Sequence, residues 1–386
     1  MDNRASIIKY IIVFMVMTAC GRVDTTVSAS THASSEDRSV DSAVVEHRPN
    51  LTLALAGDVM MGTTFPETPK GAYLPPDAGR HLFDDCRDIF KSADISAINL
   101  EGVLLDGPGE PRPMTNPNTY YLFRMPTAYV ANLVDAGIDF AGIANNHIND
   151  FGQPGRTSTV ATLDSAGVAV AGLRGVCDYK VLERRGYKVA ITQFGHGDNN
   201  LDVNDLDLLQ TTVRLMREDA DFVVVSFHGG AEGVKFTHVP HAPEVYVGEK
   251  RGHVDKFAHA AIDAGADLVF GHGPHVPRAW ELYKDHLIIY SLGNFCAPYR
   301  MSTGGNAGLA PLAVITLAPD GKFISGHIHS FRQQRARGPV IDTTNATARL
   351  IATLTSEDFP TTSLYFTSTG KVTPRPPQST MSSVRR

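Results

Sequence analysis

Cysteine is scarce in this chain, with four residues in 386, at positions 20, 86, 177 and 296. They are widely scattered, so there is no zinc-type Cys pair and no disulfide framework. Cys86, Cys177 and Cys296 read as small buried residues. Charge of one sign is also lacking. The net charge is −6 with His neutral, and no dense Lys/Arg block occurs, which disfavours nucleic acid as the main partner. No stretch forms a phosphate-binding loop or a dinucleotide fingerprint. The single tryptophan, Trp280, reads as a packing residue. What remains is ordinary globular material, 42% apolar and 20% charged, long enough for a large core.

The first twenty residues differ from the rest. MDNRASIIKY is mildly basic, and IIVFMVMTA is apolar but too short to span a bilayer as a permanent helix. The junction MTACG resembles a bacterial lipoprotein processing box, in which Cys20 becomes the lipidated first residue. An exported protein held by a lipid anchor at Cys20 is the expectation. Residues 21–49 are rich in Ser, Thr and Ala and read as a flexible tether, and 371–386 as a disordered tail. One domain is expected over 50–370.

Within that domain the chain alternates. Apolar runs at 51–57, 94–102, 139–147, 168–172, 187–195, 221–230, 267–273 and 286–295 read as strands buried on both faces. Helices are expected at 126–136, 154–166, 205–219 and 253–264. Tyr129, Val130, Leu133 and Val134 form a stripe on the first. Leu208, Leu209, Val213 and Leu215 or Met216 do so on the third. The alternation indicates a layered α/β architecture.

Polar residues fall at the strand ends. Asp58, Glu101, Asn146, His228 and His272 each end an apolar run, and four of them adjoin a glycine. Ligands in α/β sheets bind at such C-terminal ends. His272 and His275 sit on one turn with Gly273 and Pro274 between them. Carboxylate, amide and imidazole donors together suit one or two divalent ions such as Mn, Fe or Zn. The bland alternative is a set of hydrogen-bonded loop residues.

GDVMMG (57–62), NLEG (99–102), ANNH (144–147), SFHGGAE (226–232), GHGPHV (271–276) and IIYSLGNF (288–295) resemble the bacterial capsule-synthesis protein CapA family. That family lies within the calcineurin-like metallophosphatases and is tied to poly-gamma-glutamate. The resemblance covers roughly 50–320. It implies a four-layer α/β/β/α sandwich of two mixed sheets flanked by helices. It also implies site roles. Asp58 and His275 would hold one metal, and Asn146, His228 and His272 a second. Glu101 stands where typical members of the superfamily have a bridging aspartate. His147 would donate a proton to the leaving group, and Asn145 and Asn294 would either position substrate or serve as capping or turn residues. Met60 stands where such phosphatases carry a histidine, and Glu232 is the expected substitute ligand.

Other histidines compete. His196 and Asp198 follow a strand and are candidates to touch the site. His238, His241 and His253 lie in a loop with no strand end to organise them. GHIHS carries His327 and His329, whose alternation reads as one strand of a hairpin at the sheet edge. Three functions stay open. One is a metal-dependent hydrolase of a phosphoester or amide, acting on a cell-surface polyanionic polymer or a small substrate. Another is a non-catalytic polymer-binding part of a capsule-synthesis membrane complex. The third is a structural lipoprotein without a site.

Overall fold

The computed structural model describes residues 48–66, 73–113 and 121–375. The expected signal at 1–20, the Cys20 anchor and the tether as far as His47 lie outside the described residues, as does the tail beyond Arg375. Among the described residues no helix is long and apolar enough to cross a membrane.

Two sheets form the frame. The larger runs in the order Leu364–Phe366, Lys371–Pro374, Phe323–Gln334, Leu309–Leu317, Leu51–Val59, Ile95–Leu100, Phe140–Gly142, Ala169–Ala171. Its last four strands are parallel, and Leu309–Leu317 joins Leu51–Val59 antiparallel. The smaller sheet runs Trp280–Tyr283, His286–Ile289, Leu268–His272, Phe222–His228, Tyr187–Gly195, Tyr179–Arg184. Its inner four strands are parallel, with an antiparallel strand at each edge.

The period-two geometry of a strand turns apolar runs into two-faced layers. Leu51, Leu53 and Leu55 meet Val189, Ile191, Phe222 and Val224 in a core between the sheets. Ala54, Ala56, Ile98 and Leu100 point the other way. They pack with Phe90, Leu133 and Leu163 from helices Arg87–Ser92, Val130–Ala136 and Gly152–Ser165. Val223, Val225 and Phe227 pack with Leu209, Val213, Met216, Phe257 and Ala261 from helices Leu206–Asp219 and Val254–Ala264. Three apolar cores between four layers make the expected α/β/β/α sandwich of mixed sheets. Each fully buried Leu, Val or Phe contributes about 1.5–3 kcal/mol, so no single helix is decisive.

Local signals set the helix bounds. The Asp205 carboxylate accepts from Leu208 N at 2.9 Å, an N-cap worth about 1 kcal/mol. On the same helix Met216 is buried and Leu215 is 49% exposed, which decides between them. Val134 is 48% exposed and lies off its expected stripe, where Ala136 is buried instead.

Two expectations are corrected. Lys371–Pro374 is not a tail but a strand, paired with both Leu364–Phe366 and Phe323–Gln334. For the same reason the His327/His329 strand does not form the sheet edge. Lys371–Pro374 and Leu364–Phe366 extend the sheet beyond it.

Candidate metal centre

The C-terminal ends of the parallel strands of both sheets open on one crevice. Asp58 pairs in register with Asn99 on one neighbouring strand and Asn294 on another. His272 and His228 are register partners in the second sheet. Backbone must approach backbone closely for this. A Cβ on Gly57 would stand 1.9 Å from Gly293 O, and one on Gly273 2.6 Å from Gly229 O. Gly273 also has φ +112°, which L side chains rarely adopt.

Asp58, Glu101 and His275 form the tightest group, each offering a ligand atom within 4.8 Å of the others. His275 Nδ1 lies 2.9 Å from Asp58 Oδ2, and its Nε2 lies 3.6 Å from Glu101 Oε1. His272 Nδ1 stands 3.4 Å from Asp58 Oδ1. His228 Nδ1 lies 3.4 Å from Asn99 Nδ2, and its ring is 6.2 Å from that of His275. Asp58, Glu101, His228 and His272 are fully buried.

These groups are poorly satisfied by protein alone. Both Glu101 oxygens, Asn146 Oδ1, His228 Nε2 and both nitrogens of His272 are buried without a hydrogen-bond partner. Each such orphan costs about 1–3 kcal/mol, and a native site does not accumulate them without a ligand to receive. Hard anionic oxygens beside imidazole nitrogens fit a divalent cation.

The electrostatics agree. Burial pushes the Glu101 carboxyl up to about 7, with the Asp58 and Glu232 charges adding to it against His275 and His147. Burial also works against a charged His275. Glu101, the hydrogen bond to Asp58 and the Glu232 charge outweigh it and lift the ring to about 10. Burial raises Asp58 too, but the close approach of His272 and the hydrogen bond and charge of His275 hold it far below the usual carboxylate range. His228 is driven well below its ordinary value, chiefly by burial. Without a metal, the His275 imidazolium is therefore the cation among the carboxylates.

His147 stands at the edge of this group. Its Nδ1 meets Asp150 Oδ2 at 2.8 Å, which turns Nε2 toward Glu101 Oε1 at 3.7 Å. Burial opposes its charging, yet the charge and hydrogen bond of Asp150 raise it above the ordinary histidine value. Asp150 is itself buried, accepts from Phe123 N at 2.8 Å and lies 2.9 Å from Arg112 Nε. A cavity of about 360 Å³ opens beside the group, with His147, His275, Glu232, Asn294, Tyr121 and Arg300 in its wall.

Two sequence expectations change here. Asn145 is fully buried and committed to protein. Its Nδ2 donates to Asn99 Oδ1 and Leu100 O, and its Oδ1 accepts from His147 N. Its amide is thus spent on protein partners, and it holds the backbone of His147. Glu232 stands outside the tight group: Oε1 takes Arg251 Nη1 at 2.7 Å, and Oε2 lies 3.9 Å from His275 Nε2. Met60 is buried, and its Sδ accepts from Gly62 N at 3.2 Å. Of the competitors, His196 is buried behind His228 with Nδ1 3.3 Å from His228 O.

Other residues had no site role assigned from the sequence. Asn99 donates to Asp58 Oδ1 at 2.8 Å and accepts from both Asn145 and Gln193 at 3.0 Å. Gln193 Oε1 in turn accepts from Ala144 N. This amide network braces the carboxylate of Asp58 from behind. Asp150, three residues after His147, carried the one available signal, a carboxylate near a candidate acid.

The family described as "Bacterial capsule synthesis protein PGA_cap" matches residues 52–299. The chain is 28% identical over 273 residues to the capsule biosynthesis protein CapA of Bacillus anthracis, covering 66% of this chain and 62% of that protein. It is 26% identical over 268 residues to the PGA biosynthesis protein CapA of Bacillus subtilis, covering 64% of this chain and 63% of that one. The chain thus spans under two thirds of the length of either. Among solved structures, the calcineurin-like phosphoesterase YfkN of Bacillus subtilis is similar at 11% identity and a TM-score of 0.44, over 80% of this chain and 98% of that one. The match over 52–299 takes in Asp58, Glu101, His147, His228, His272 and His275, and by it the chain belongs to the bacterial capsule synthesis protein PGA_cap family.

Proposed function

We propose that this chain is an exported, divalent-metal-dependent hydrolase of a phosphoester or amide bond in cell-surface polymer metabolism. One observation carries the reading. Asp58, Glu101 and His275 bring ligand atoms within 4.8 Å of one another, while His147 Nε2 faces Glu101 from 3.7 Å beside an open cavity. Asp58, Glu101 and His275 would hold a first cation, with His228, His272 and Asn146 offering donors for a second. A cation bound there supplies Lewis acidity toward the attacked centre and a lowered pKa for water. Asp150 fixes Nδ1 of His147, so the Nε2 proton is presented to the departing oxygen or nitrogen. The family assignment supports polymer metabolism, and the sequence MTACG supports export with a lipid at Cys20.

The test loads purified protein with Mn, Fe or Zn. It then assays an aryl phosphodiester, a phosphomonoester and a gamma-linked glutamate oligomer. Wild type is expected to take up one or two ions per chain and to hydrolyse at least one substrate. His275→Ala should release metal. His147→Ala should keep the metal and lose about 10²-fold or more in turnover. Full metal occupancy without hydrolysis favours the polymer-binding alternative, for which Met60 in place of a histidine is the supporting feature. No metal under any loading condition removes the enzyme reading.

A further inference from the structure

We propose that Arg300 is a receiver for an anionic group of the bound ligand, set apart from the bond that reacts. The inference rests on reading the adjoining crevice as a substrate site.

Arg300 lies just past strand Asn294–Cys296 and shares its cavity with His147 and His275. Its guanidinium carbon stands 4.9 Å from the Tyr73 ring centroid and 4.5 Å from that of Tyr121. Stacked aromatic faces favour a guanidinium but leave its N–H edge free, because the hydrogens lie in the plane of the group. That edge is unspent. Arg300 Nε is buried with no hydrogen-bond partner. No carboxylate among the described residues pairs with Arg300. The arginines around it in function are all committed: Arg278 to Glu244, Arg251 to Glu232 and Glu249, Arg112 to Asp150.

The cavity wall is polarised. Tyr121 stacks on Phe123 with ring centroids 6.5 Å apart, and Phe123 lies against His147 at 4.3 Å. Arg300 thus stands at one end of a row of rings whose other end is the proposed proton donor. The far end is acidic, with Asp58, Glu101 and Glu232 around His275. The rings of Tyr121 and Phe123 stand between this cation and His147. A guanidinium fork fits a planar pair of oxygens, so the ligand group is a carboxylate or a phosphoryl group.

The test uses full-length protein stripped of metal with EDTA, so that no cation at the cluster competes for the anion. Binding of glutarate and of inorganic phosphate is measured by calorimetry at low salt. Wild type should bind at least one of them, and Arg300→Met should weaken that binding about tenfold or more. Arg300→Lys should restore only part of it, since an ammonium cannot offer two parallel N–H groups. Stronger binding of glutarate assigns a carboxylate, and stronger binding of phosphate assigns a phosphoryl group. Equal affinity in wild type and Arg300→Met, with unchanged melting temperature and metal uptake, overturns the proposal. Arg300-dependent binding in a protein that, once reloaded with metal, hydrolyses none of the three substrates would favour the polymer-binding alternative and leave the subsite standing.

Discussion

Two histidine pairs in this chain look alike in sequence and behave oppositely in the fold. GHGPH carries His272 and His275, and GHIH carries His327 and His329. The second pair is close in space, with ring centroids 4.3 Å apart. It lies mid-strand on Phe323–Gln334, two residues apart and on one face. Burial lowers His327, and burial with the neighbouring His327 charge pushes His329 down to about 4. His275 is half-buried as well, yet is lifted to about 10, because Glu101 and Asp58 face it. The difference lies in the carboxylates and in the place on the strand. A strand end lets loops from two sheets aim at one point. A mid-strand histidine meets only the neighbouring strands and whatever packs on its face.

The largest effect that would sharpen this contrast concerns the carboxylate behind His147. Asp150→Asn should keep the metal and lose between about 10- and 10²-fold in turnover. The limb of the pH–rate profile set by His147 should move to lower pH, since the Asp150 charge that raises it is gone. An unshifted limb would mean that His147 does not titrate in the rate.

Next comes stability without metal. Glu101 titrates near 7 in the fold against 4.5 unfolded. A raised carboxyl holds its proton longer folded than unfolded, so its contribution is full below about 4.5 and is lost as pH rises toward 7. His275 adds its own loss only above 6.5, running to about 10. Between pH 4.5 and 6.5 the lowered His228, His327 and His329 push stability the other way, so the Glu101 contribution is read as a difference: EDTA-treated wild type should fall by about 2 kcal/mol relative to Glu101→Gln across the window. Melting temperatures across the window decide it, and equal slopes in the two proteins would break the account.

The smallest expected effect is at the other pair. His327→Ala with His329→Ala should leave metal stoichiometry unchanged and stability within about 1 kcal/mol. Metal loss in that variant would erase the distinction drawn between the two pairs.

Much of the frame was legible because strands buried on both faces appear as continuous apolar runs, and the polar residue ending each run marks the crevice. Asp58, Glu101, His228 and His272 follow from that pattern alone. Asn99 and Gln193 did not, since a buried amide inside an apolar run gives no sign of its partners. Asn145 stayed open for the same reason: an amide beside a candidate acid can face substrate or brace the backbone. Asp150 was hidden in the polar stretch NNHIND, where any carboxylate reads as a solvated loop. Lys371–Pro374 was lost because its polar, proline-flanked composition resembles a tail, whereas its order comes from pairing with Leu364–Phe366 just before it and with the more distant Phe323–Gln334.

The order in which the chain is made has a consequence for the strand Leu51–Val59. Its Leu51–Ala56 edge pairs with Leu312–Leu317, and Asp58 meets His275 across 217 residues of sequence. During synthesis this strand emerges first and keeps an open edge until nearly the whole chain is available. The inner strands of the second sheet, all made in between, have their own parallel partners nearby in sequence. That half can pair early, as can Leu51–Val59 with Ile95–Leu100, while the other edge of Leu51–Val59 waits on a distant contact, the kind that slows folding most. A chain ending before residue 309 would expose a flat apolar edge from Leu51 to Ala56, an invitation to pair with another copy of itself.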